Sequence, residues 1–78
     1  MVTPESIQAT IIAGIACEHC QVSGDGHHFE AVIVSPAFEG LNRVRRHQLV
    51  YGALGDRMRE EIHALSMKTL TPAEWQTY

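Results

Sequence analysis

Cysteine is scarce in this chain of 78 residues, which has two, Cys17 and Cys20. Two cysteines cannot build the multi-bridge framework that compensates small secreted domains for a small core, so a reducing compartment fits better. Long apolar runs are missing too. No stretch approaches the roughly 20 apolar residues that span a bilayer. Met1-Val2-Thr3-Pro4-Glu5 places no basic segment ahead of an apolar one, so a cytoplasmic protein without a signal peptide is expected. The sequence has no repeats and no low-complexity tract. It also lacks phosphate-cradling loops of the P-loop or dinucleotide type and any nucleophile–base–acid arrangement, so an enzyme is not expected. What is present suits one folded domain over residues 1–78, with 45% hydrophobic residues, near the lower size limit for a self-sufficient core.

Net charge is −3, unevenly spread. Positions 43–59 hold Arg43, Arg45, Arg46, Arg57 and Arg59 against Asp56, a local +4, while the rest of the chain carries −7. A basic helix in an acidic protein is either a patch for an acidic partner, a phosphate or a nucleic acid, or a solvated face balanced by acids folded nearby. The whole-chain pI of 5.9 falls short of a typical nucleic-acid domain.

Local signals order the elements. Thr3 can cap a helix with Pro4 and Glu5 in its first turn. Ile7, Ile11 and Ile15 recur every four residues as one apolar stripe, and Gly14 with Cys17-Glu18-His19-Cys20 is expected to close that helix. Cys20 to Ser23 reads as a short strand. Gly24-Asp25-Gly26 is a hairpin turn, with His27 and His28 just past its tip. Phe29 to Val34 forms the second strand, with Phe29, Ala31 and Ile33 on one face. Ser35-Pro36 stops it, and Pro36 to Gly40 is a turn or a single helical turn. A long helix is expected from Asn42 to about Glu61, carrying Val50, Leu54 and Met58 four apart. Gly52 and Gly55 each weaken it by ~1 kcal/mol relative to Ala, or allow close packing on the sheet. The last strand spans 62–69, with Leu65 and Met67 facing the core, and Thr71-Pro72 opens a final helix. The order is α-β-β-α-α-β-α. A long-helix crossover lets the last strand lie parallel to a neighbour. The expected fold is α+β: two layers, a three-stranded mixed sheet and helices on one face, as in the type II KH-like arrangement.

Several residues could carry chemistry. His63 stands at the mouth of the last strand, either bonded to backbone there or free to act as a ligand; pattern alone does not separate the two. His27 and His28 are solvent-exposed turn residues or, with His63, part of a two-nitrogen site. Such a site is incomplete, because zinc or an iron–sulfur cluster usually takes four protein ligands, and the missing ones would come from a partner. Cys17-Glu18-His19-Cys20 is a CxxC, but it has no second pair for zinc and ends a helix where a redox motif should begin one. Gly52-Ala53-Leu54-Gly55 matches the GxxG by which KH domains grip nucleic-acid backbone. Here it falls inside the expected helix and has no basic middle residues, so it reads as packing.

Three segments carry a family resemblance. Ser23-Gly24-Asp25-Gly26-His27-His28-Phe29 resembles the hairpin of the short-loop, IbaG-like branch of the BolA-like proteins. Phe38 to Tyr51, with its Arg46-His47 pair, is similar to that family's helix entry. Ile62-His63-Ala64-Leu65-Ser66-Met67-Lys68-Thr69-Leu70-Thr71-Pro72-Ala73-Glu74-Trp75 is similar to its C-terminal signature. The resemblance implies a non-enzymatic partner of monothiol glutaredoxins, sharing a bridging 2Fe–2S cluster. The glutaredoxin cysteine and glutathione would ligate one iron. His63 would ligate the other, with His28 or its neighbour His27 as second ligand. Mixed nitrogen and sulfur ligation raises the reduction potential, and the imidazoles must be neutral to bind, so with an unperturbed pKa of about 6.5 acid favours cluster loss. The same resemblance implies a second possibility, a DNA-binding transcriptional regulator of stress response and morphology using Arg43, Arg45, Arg46 and His47. Alone, the chain is expected to be a monomer or weak homodimer without membrane contact.

Overall fold

A computed structural model describes residues 2–56 and 64–78. Helix α1 (Pro4–Gly14) starts where a reciprocal cap stops fraying: the Thr3 hydroxyl accepts from the Ser6 N–H, and the Ser6 hydroxyl accepts from the Thr3 N–H. Strands β1 (His19–Gly24) and β2 (His28–Val34) form an antiparallel hairpin, and β3 (Ala64–Leu70) adds parallel to β2, giving sheet order β1-β2-β3. A 3-10 turn (Pro36–Phe38) and helix α2 (Arg43–Leu54) lie between β2 and β3, and α3 (Pro72–Gln76) follows β3. The expected α+β order and mixed three-stranded sheet are present. Thr71 and Glu74 cap α3 reciprocally, as Thr71-Pro72 signals.

The core lies between the sheet and the α1–α2 pair. Ile7 and Ile11 of α1, Ile15 just past its end, Phe29, Ala31 and Ile33 of β2, and Val50 and Leu54 of α2 are all buried. Period four in the helices and period two in the strand turn each set to one side. Leu65 and Met67 are half-buried against this cluster. Helices α1 and α2 touch through a small-residue contact: a Cβ built on Gly14 would sit 2.8 Å from the Ala53 Cβ.

The end of the first helix and the extent of the long helix differ most from the sequence reading. The CxxC does not close α1. That helix ends at Gly14, and Ile15 is already extended (φ −136°, ψ 130°), with its N–H donating to the Ile11 carbonyl. His19 and Cys20 belong to β1, and Ile15 is buried in the core although it lies past the helix end. The long helix does not run from Asn42 to Glu61. Asn42 is its cap, and it stops at Leu54, where Gly55 takes φ +60°, a conformation L side chains rarely adopt. The Gly52-Ala53-Leu54-Gly55 stretch is thus a helix end rather than a helix interior. Nor do Gly52 and Gly55 serve close packing, since a Cβ on either meets nothing within 4 Å. Ala53 and Leu54 do the packing between them. Met58, Glu61 and Ile62, with the start of the predicted last strand, lie outside the described residues.

Candidate functional site

The hairpin tip is built by one carboxylate. Asp25 Oδ1 accepts from the backbone N–H of His27 and of His28, each at 2.9 Å, and the Asp25 N–H donates to the His28 carbonyl at 3.2 Å. Gly26 (φ +100°) supplies the left-handed residue that the turn needs. Donation by the His28 and then the His27 N–H holds the Asp25 carboxyl below the usual carboxylate range. Asp25 thus orders the backbone of both histidines. Phe29 is buried, so alternation sends His28 to the opposite face, and both imidazole residues are exposed.

The parallel pairing then selects what stands beside the tip. His28 is in register with Ala64, the first residue of β3. The hairpin tip and the entry to β3 therefore share one end of the sheet. His63 precedes Ala64 in the chain and lies outside the described residues, so its ring position relative to His27 and His28 is not part of this geometry. Among the described residues, no three or more His, Cys, Asp or Glu side chains group as a metal site.

Cys17 and Cys20 sit at the far end of β1 from that tip. Both are free, half-buried and packed against the core. The Cys17 thiol also approaches the Ile15 carbonyl at 3.3 Å. Burial raises the Cys17 pKa. Burial and then the neighbouring Cys17 push Cys20 up to about 11. These are protonated thiols, opposite in character to the depressed-pKa cysteines of redox and metal sites.

The basic helix divides by function. Arg46 is 14% exposed and committed to the fold: its Nε donates to the Leu41 carbonyl at 2.8 Å, and its Nη1 to the Thr69 carbonyl at 3.1 Å and to Glu74 Oε1 at 2.7 Å. It ties α3 to the start of α2. Arg43 and Arg45 are exposed. His47 is half-buried, edge-on to Tyr51 with ring centroids 6.5 Å apart. Arg43, Arg46 and His47 line a groove of about 650 Å³ along β3 together with Lys68, Glu74 and Tyr78; Arg45 is not part of it. The sequence reading missed Lys68, Glu74 and Tyr78. Lys68 stands out only as a cation in a strand, and Glu74 is 28 residues from Arg46, beyond any local pattern. The groove adjoins Thr69 and Leu70, whereas the histidine tip pairs with Ala64. Counted from Ala64 to the groove residues Met67 to Leu70, at about 3.3 Å rise per strand residue, the two places stand roughly 10–20 Å apart.

This mixed sheet, with an exposed histidine hairpin at one end and a basic helix at the other, defines a small α+β domain. The model of the BolA-like protein family matches residues 7–74, and the chain belongs to that family. It is similar to the acid stress protein IbaG of Escherichia coli K12, 41% identical over 70 residues, which covers 88% of this chain and 83% of IbaG. It is also similar to the DNA-binding transcriptional regulator BolA of Haemophilus influenzae, 40% identical over 58 residues, covering 74% of this chain and 56% of that protein. Among solved structures, a BolA homologue from Coxiella burnetii superposes with a TM-score of 0.83 at 49% identity, covering 97% of this chain and 99% of that one. No helix of the described residues is long and apolar enough to cross a membrane.

Proposed function

We propose that this BolA-family chain is a non-enzymatic cytoplasmic partner of monothiol glutaredoxins, contributing imidazole ligands to a shared 2Fe–2S cluster that is trafficked or sensed. The observation that carries the reading is the register of His28 with Ala64, which brings the hairpin tip to the strand entry that follows His63. The donor chemistry fits. Imidazole suits iron, the tip histidines are exposed, and Asp25 holds their backbone in place. The buried, protonated Cys17 and Cys20 do not suit the role, so the thiolates would come from the glutaredoxin cysteine and glutathione. When bound, the cluster supplies one-electron chemistry, with imidazole ligation raising its potential relative to a full thiolate set. The chain's own part is to present neutral imidazoles from an ordered edge.

The test is anaerobic co-purification with a monothiol glutaredoxin and glutathione, followed by visible absorption and circular dichroism. His63→Ala and His28→Ala each change the cluster spectrum, and His27→Ala decides which tip histidine is the second ligand. Spectra unaltered in both of the first two variants would refute the assignment.

A second reading, DNA binding, draws on the exposed Arg43 and Arg45 and on the name of the Haemophilus relative. Arg46 is unsuited to testing it, since its loss also releases α3. Salt-dependent duplex binding that Arg43→Ala with Arg45→Ala abolishes supports this reading, and no binding at low salt removes it.

A further inference from the structure

From the groove along β3 we infer a binding site for a small organic phosphate, separate from the histidine end. Its volume, about 650 Å³, falls within the range of small-molecule sites. Three fixed cations line it, Arg43, Arg46 and Lys68, against one carboxylate, Glu74, so the groove keeps a net positive charge in an otherwise acidic chain. The acid does not cancel the site evenly, because it is paired with Arg46. Arg43 makes no ion pair among the described residues. The Lys68 Nζ bonds the Tyr78 hydroxyl and lies 4.7 Å from the centre of the Tyr78 ring. His47 adds an imidazole on the α2 side.

The walls decide what kind of anion fits. Leu41, Met67 and Leu70 present apolar surface beside the cations. A bare inorganic ion leaves that surface unused, whereas an anion with an apolar body covers it. Arg43 and Lys68 line the groove from two different elements, the first residue of α2 and β3, so a group with several acceptor oxygens can be met by both. A phosphate monoester has three such oxygens and close to two charges near neutral pH. A carboxylate has two oxygens and one charge.

Arg43 and Lys68 are both exposed, so alanine at either leaves the core intact. The probes are phenyl phosphate, inorganic phosphate, phenol and benzoate, each titrated into the isotopically labelled chain and followed by amide NMR shifts. Phenyl phosphate is expected to move the amides of residues 41–47 and 67–70 and to bind more tightly than inorganic phosphate or benzoate, with phenol silent. Arg43→Ala and Lys68→Ala each raise its Kd about tenfold, the loss of one charge-assisted hydrogen bond, and added salt weakens it. Arg45→Ala, one residue outside the groove, leaves Kd unchanged within a factor of two. Equal weakening by Arg45→Ala would mean diffuse attraction to the helix and overturn the inference. So would benzoate binding as well as phenyl phosphate, or shifts confined to the hairpin tip. The cluster assay can fail or succeed independently, because neither Arg43 nor Lys68 belongs to the histidine end.

Discussion

Replacing Ser35 by alanine probes the junction on which both ends of the sheet depend. Ser35 is fully buried and follows β2 directly. Its hydroxyl donates to the Ala16 carbonyl at 2.7 Å and accepts from the Ala37 N–H at 3.0 Å, and its own N–H donates to the Leu70 carbonyl at 3.0 Å. One residue thus ties the α1–β1 connection, the end of β3 and the 3-10 turn together. Ser35→Ala keeps the backbone bond and deletes the two made by the hydroxyl. Ala16 and Ala37 are exposed residues and both bonds are only part-buried, so less than the full desolvation penalty is expected for the freed groups. Two net hydrogen bonds at about 0.5–1.5 kcal/mol each give a loss of about 1–3 kcal/mol. The N-cap share alone is typically about 1 kcal/mol. A 78-residue domain holds on the order of 4–12 kcal/mol in total, so this is a large fraction. At about 4–8 °C per kcal/mol, Tm should fall by roughly 8–16 °C for a loss of about 2 kcal/mol. Urea unfolding followed by far-UV circular dichroism reads the change directly, with the midpoint lowered and m unaltered. A loss below about 0.5 kcal/mol, the level of an ordinary surface change, would refute the reasoning.

Two further outcomes follow from the charge and thiol environments. The Glu74 carboxyl is held below its usual 4.5, first by the hydrogen bond from Arg46 and then by the Thr71 N–H. A depressed carboxylate stabilises the fold above its unfolded pKa and loses that contribution as pH falls through its folded pKa. Acid unfolding of Glu74→Gln should therefore show a shallower pH slope below pH 4.5 than the parent; an unchanged slope counts against the Arg46–Glu74 tie. Cys20, pushed from its usual 9.0 up to about 11, should have about a hundredfold less thiolate at neutral pH than an ordinary free thiol and react with iodoacetamide correspondingly more slowly. Peptide mass spectrometry over time measures this, and a rate equal to that of glutathione would contradict the burial argument.

Sequence alone determined the parts of this protein that rest on local chemistry. Thr3 and Thr71 cap their helices because a short hydroxyl oxygen reaches an N–H three residues on. The isoleucine stripe of α1 and the alternation of Phe29, Ala31 and Ile33 select the buried faces. The motifs at 23–29, 38–51 and 62–75 were specific enough to mark the family whose model matches residues 7–74. Where local signals competed, the sequence misled. The apolar spacing of Val50, Leu54 and Met58 continues through Gly55, yet the helix stops at Leu54, because a periodic pattern does not register that one glycine turns to positive φ.

Tertiary structure decided everything that depends on residues distant in the chain. Arg46 reads as a surface cation beside Arg43 and Arg45, and becomes the tie to Glu74 only when α3 folds back across the start of α2. Cys17 and Cys20 have the spacing of a reactive pair, but packing against the core keeps them protonated. His28 acquires Ala64 as neighbour through a strand register spanning 36 residues, and the groove acquires Lys68 the same way. Such pairings follow from how whole faces bury together, a property of the assembled sheet and helices that no short window of sequence contains.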